Sequence, residues 1–137
     1  MSPELDEELC RKFPKIFRDR TKSMHESCMH WGFEHGDGWY NIIESLCLNI
    51  QHHTDWKRKH STLTDEEFDA EHQPVAAQVK EKFGGLRFYM DNTDEWIDGA
   101  ISLAESLSRR TCEVCGARGE QRGGGWIRTL CEEHSKR

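Results

Sequence analysis

Gln78-Val79-Lys80-Glu81-Lys82-Phe83 and Leu86-Arg87-Phe88-Tyr89-Met90 alternate apolar with polar residues on either side of Gly84-Gly85. A period of two with glycines at its centre is the pattern of a β-hairpin. The alternation puts Val79, Phe83, Leu86, Phe88 and Met90 inward and leaves Lys80, Lys82 and Arg87 on the other face. That face reads as a solvated strip or as a binding strip, for which Lys82, Arg87 and Tyr89 are the candidate contacts. Gly84-Gly85 serves as a turn, or as a place where a phosphate could come close to the backbone.

Helical patterns lie on both sides of the hairpin. Ser2 offers a capping hydroxyl and Pro3 a first helical position, and Leu5, Leu9 and Phe13 follow at helical spacing until Pro14. From Trp39 the residues Ile42, Ile43, Leu46, Cys47 and Ile50 mark a helical face running to about His53, with Asp37 or Gly38 as its cap. Residues 54–73 read as a charged connection without core residues, holding at most a short helix opened by Thr64 with Glu67 three residues on. Asn92 with Glu95 opens a last helix, whose stripe is Trp96, Ile97, Ala100, Ile101, Ala104 and Leu107. Residues 19–38 look irregular. The expected fold is α+β, helices packed on a hairpin or small antiparallel sheet, with residues 1–108 as the body and 109–137 as a separate module.

That module is written in its cysteines. Cys112-Glu113-Val114-Cys115-Gly116 is followed by Cys131-Glu132-Glu133-His134, with fifteen residues between Cys115 and Cys131. Two residues between ligands let a tight turn aim both donors at one tetrahedral ion, and Gly116 gives that turn its freedom. Three thiolates and an imidazole suit Zn²⁺ and leave no coordination position open, so the expected cofactor is one structural zinc in a ribbon- or knuckle-like module. Between the pairs stand Arg118, Arg122, Gly123-Gly124-Gly125, Trp126 and Arg128. Arg122, Trp126 and Arg128 are either recognition residues or, for Trp126, a cover over the metal.

Six cysteines with no export signal read as thiols or metal ligands in a reducing compartment, and no apolar run approaches membrane-spanning length. The expectation is a soluble, cytoplasmic protein. The net charge of −6 is unevenly placed, with seven Lys and Arg against four Asp and Glu in residues 109–137. Overall acidity disfavours general nucleic-acid binding, and the basic tail leaves room for a weak form of it.

Three blocks stand together: His30-Trp31-Gly32-Phe33 running into Gly36-Asp37-Gly38-Trp39-Tyr40, the hairpin from Gln78 to Tyr89, and the Thr111–Gly116 segment with Gly125-Trp126 and Thr129-Leu130-Cys131. As a set, over roughly residues 28–134, they resemble an uncharacterised family of small proteins met in bacteriophages and bacterial genomes. His35 stands where that family often carries Cys. The resemblance implies a phage or prophage accessory protein that acts on host factors, in the host cytoplasm, and it implies no reaction.

The leading functional expectation is therefore a zinc-binding interaction protein whose partner is another protein. The alternatives are a nucleic-acid binder using the basic tail, with Trp126 as a stacking platform, and a small enzyme or small-molecule or nucleotide binder built from residues 30–39 and the 80–89 hairpin. For the last, His25, Cys28, His30, Glu34, His35 and Asp37 lie in one short stretch beside Trp31 and Trp39. They could supply a base, a nucleophile or a second metal site, although no recognised catalytic motif spaces them. Accordingly His30, Trp31, His35, Asp37 and Trp39 join the hairpin residues as candidate binding contacts, on a face that the two segments would form by packing together.

Overall fold

A computed structural model describes residues 1–136. Helix α1 spans Pro3–Lys12, with the Ser2 hydroxyl accepting from the Leu5 amide, and the chain leaves it through Phe13-Pro14. A 3₁₀ turn at Cys28–Trp31 leads into the two-residue strand β1, Phe33–Glu34. A second 3₁₀ turn, Asp37–Trp39, opens α2 (Tyr40–Lys59), and α3 follows at Asp65–Glu71. Strands β2 (Val75–Lys82) and β3 (Gly85–Asp91) form the expected hairpin, and α4 covers Glu95–Ser108. Two short strands, β4 (Glu120–Arg122) and β5 (Arg128–Leu130), build the C-terminal module.

The main sheet has the order β1-β2-β3, with β1 parallel to β2 through Phe33 opposite Val79, and β3 antiparallel to it. Leu9, Phe17, Phe33, Trp39, Ile43, Ile50, Val79, Leu86, Phe88 and Ile97 make one core between sheet and helices. Phe17 meets Phe33 edge-on at 5.0 Å, tying the post-α1 segment to the sheet. The free edge of β3 is closed by α4 side chains: Ser108 Oγ accepts from the Leu86 amide at 2.8 Å and Glu105 from Phe88 at 2.9 Å. Covering an edge in this way satisfies its amides and removes a template for aggregation.

Several expectations give way. The hairpin loop is Phe83-Gly84, because Lys82 pairs with Gly85. Both loop residues have positive φ, 54° and 79°, as a type I′ turn requires, and Phe83 is exposed at the tip instead of facing the core. Helix α2 runs six residues beyond His53. Its last turns are held by polar contacts that an apolar period does not reveal, chiefly Arg58 bonded to Asp69 of α3 at 2.6 Å. Residues 54–73 do contribute to the interior, through Phe68 and Thr54, and α3 carries the complete Thr64/Glu67 capping box. The cap of α4 is Asp94, which accepts from the Ile97 amide at 2.8 Å, not Asn92. Asp37 caps no helix, since its carboxylate accepts from the Ser2 amide at 2.7 Å.

Candidate metal centre

The Cys112–Cys115 turn closes on itself. The Gly116 amide donates to the Cys112 carbonyl at 2.9 Å, the Cys112 amide donates to Ala117, and Gly116 sits at φ 82°. Strands β4 and β5 then carry the chain out and back, Glu120 opposite Leu130 and Arg122 opposite Arg128, and deliver Cys131 beside the turn. One 3₁₀ turn at Glu133–Ser135 presents His134. The Glu113 amide donates to the Thr129 carbonyl at 3.0 Å and locks the two ligand pairs together.

The four donor atoms all lie within 4.8 Å of one another. Cys115 and Cys131 Sγ are 3.7 Å apart, Cys112 Sγ is 3.7 Å from His134 Nδ1, and Cys131 Sγ is 3.2 Å from it. A tetrahedron with metal–sulfur bonds of about 2.3 Å has edges of about 3.7 Å, whereas a disulfide would bring two sulfurs to about 2 Å. This Cys₃His group is therefore arranged to hold a metal ion. Burial opposes ionisation of Cys112, yet the amides of Cys131, Cys115 and Val114 outweigh it and bring the thiol down to about 6. A thiol already inclined to the thiolate suits a metal ligand.

The module is docked on the body through its two glycine turns. Gly38 and Gly36 donate their amides to the carbonyl and carboxylate of Glu113, at 2.8 and 2.9 Å. A Cβ on Gly38 would overlap the Cys112 carbonyl and lie 2.6 Å from the Gly116 nitrogen. Trp39, fully buried, donates its indole N–H to the Thr111 carbonyl at 2.9 Å. At the other turn Thr129 Oγ1 donates to the Gly84 carbonyl at 2.5 Å, and Gln121 to Phe83 at 3.4 Å. The glycines permit close backbone approach by the metal module.

The candidate binding residues separate accordingly. The 30–39 block does meet the hairpin, through β1 on β2, but its aromatic and polar members do not share one surface. Trp39 and His35 are buried, the latter with Nδ1 donating to the Gly36 carbonyl and, among the described residues, no partner for Nε2. Burial pushes the His35 imidazole down to about 4, with the Gly36 contact pulling the other way. Asp37 is engaged with Ser2, and His30 with the Lys22 carbonyl, while Trp31 is exposed. Lys82, Arg87 and Tyr89 lie on the outer face of the hairpin. Arg122 and Arg128 approach Glu120 at 3.9 Å and Glu113 at 3.6 Å, so they brace the module, and Trp126 stands exposed between them. Among the described residues, the metal group is Cys112, Cys115, Cys131 and His134, and no helix is long and apolar enough to cross a membrane.

A groove of about 830 Å³ that no sequence expectation covered lies between α2 and α4, lined by Ile42, Leu46, Trp96, Gly99, Leu103 and Leu107 among others. Leu103 is 62% exposed on it. The α4 stripe in the sequence, being wider than one core-facing side needs, was its signal.

Fold and site define a small α+β protein with a closed Cys₃His metal-binding module. No family model, curated protein or solved structure matches the chain.

Proposed function

We propose that the chain is a binding protein that holds one structural Zn²⁺ at Cys112, Cys115, Cys131 and His134 and docks an apolar segment of a protein partner between α2 and α4. Four protein ligands complete a tetrahedral zinc, leaving no position for substrate, so the ion acts by fixing the fold. The observation that carries the docking is the open groove, where Trp96, Leu103 and Leu107 stand in solvent around Gly99. Grooves of this kind take the apolar face of an amphipathic helix. The body around it is acidic, 21 Asp and Glu against 12 Lys and Arg in residues 1–108, which favours a partner segment flanked by basic residues. The family resemblance points to a host protein as that partner and to a phage-type accessory role.

The test compares nuclease-treated pulldowns by the wild-type chain and by Leu103→Asp, followed by binding of a synthetic peptide from each protein lost. Expected is a protein retained by the wild type and lost with Leu103→Asp, whose amphipathic segment binds the groove in isolation. A captured set that is unchanged by the substitution contradicts the reading. So does a chain that dimerises through the groove in light scattering and becomes monomeric with Leu103→Asp, because the occupant is then a second copy.

A further inference from the structure

The hairpin β2–β3 and the loop between β4 and β5 end side by side, joined by the Thr129–Gly84 and Gln121–Phe83 contacts. Each tip carries an exposed aromatic ring: Phe83 is 68% and Trp126 78% accessible. Phe83 holds φ 54°, a left-handed conformation that costs a residue with a Cβ about 1 kcal/mol or more, where Asn or Gly would be comfortable. Its ring meets only the Lys82 ammonium, 5.7 Å from the centroid, among the described aromatic and cationic contacts. Folding gives no reason for an aromatic there.

The outer face of the same hairpin is rich in cations. Lys80 lies between Arg87 of β3 and Glu34 of β1 in the ladder, so it meets a like charge on one side and an opposite one on the other. Gln78 and Tyr89 pair on the same face, and the Arg109 side chain closes over Gly85, where a Cβ would lie 3.0 Å from its Nε. Lys12, Lys15, Arg20, Lys57 and Arg58 elsewhere all have carboxylates beside them. Among the described residues, Lys80, Lys82, Arg87 and Arg109 have none within ion-pair distance.

We infer that this face, Phe83 and Trp126 at the tips with Lys80, Lys82, Arg87 and Arg109 behind them, binds single-stranded nucleic acid. Exposed rings stack on splayed bases, and a row of unpaired cations follows the phosphates. The strand is single because the two exposed rings at the tips can stack only on bases that are not already stacked and paired in a duplex. Acidic surface elsewhere confines phosphate to this end and keeps affinity modest. A Cβ on Gly124 or Gly125 would meet nothing within 4 Å, so open space surrounds the loop beside Trp126.

The test is fluorescence anisotropy with labelled oligothymidylate and oligouridylate of about 12 nucleotides and the zinc-loaded full chain. Expected is saturable binding at about 50 mM salt that weakens steadily as salt rises. Trp126→Ala and Phe83→Asn should each weaken it about tenfold. The second should not lower stability, which separates lost stacking from lost folding. Arg87→Gln should reduce the logarithmic salt slope by about 0.7. Duplex DNA should compete at least about tenfold less well, in keeping with stacking on unpaired bases. Absence of binding at low salt, equal competition by duplex, or affinity unchanged in Trp126→Ala overturns the inference. Retention of a protein through these residues without oligonucleotide binding overturns it too. Leu103→Asp leaves this binding intact, so the assay stands apart from the groove.

Discussion

The Gly38 amide donates to the Glu113 carbonyl at 2.8 Å, and no side chain fits between Gly38 and the Cys112–Gly116 turn. One residue before the buried Trp39, the body and the metal module share a backbone contact as close as a sheet's. Gly38→Ala should therefore lower the unfolding free energy by about 3 kcal/mol, through overpacking against backbone that cannot yield. It should also weaken metal affinity, since metal binding and folding of the module are coupled. Gly99→Ala is the control: a Cβ there meets nothing, and the helix gains about 0.5–1 kcal/mol. Denaturant melts of the two variants should shift in opposite directions.

Phe83→Asn should stabilise the protein by about 1 kcal/mol, because Asn tolerates the left-handed first position of a type I′ turn. Thermal melts read this directly. A loss of stability would mean that the Phe83 ring packs in a way its exposure does not show.

His35 makes stability depend on pH. The unfolded chain protonates it near its ordinary 6.5, while burial holds the folded imidazole neutral until about 4. Between those values the unfolded state binds more protons, so stability is intact above pH 6.5 and falls as pH drops toward 4. His35→Phe removes the titrating group, and its stability should fall less steeply across that window. Comparing the slopes of the two proteins cancels the acid sensitivity of the cysteine ligands, which both share.

Much of this was readable from the chain, for reasons that differ by element. Ser2-Pro3 and Phe13-Pro14 bound α1 with local chemistry, and the metal ligands were legible because coordination fixes their spacing. The hairpin was legible by period, but its turn lay one residue away, since periodicity carries no information that Phe83 would accept positive φ. The parallel pairing of Phe33 with Val79 is long-range and two residues wide, too short to leave a pattern. Gly36, Gly38 and Gly84 read as turn residues in the sequence. Their reason, room for a module far along the chain, appears only when the chain is folded.

The proposed structural zinc would be held by Cys112, Cys115, Cys131 and His134 with no coordination position left open. Elemental analysis of protein purified without added metal, paired with thiol titration before and after chelation, tests it most directly. Expected is one zinc per chain, with Cys112, Cys115 and Cys131 reacting only once the metal is removed. Protein that is fully folded, free of metal and openly reactive at those three thiols would contradict it.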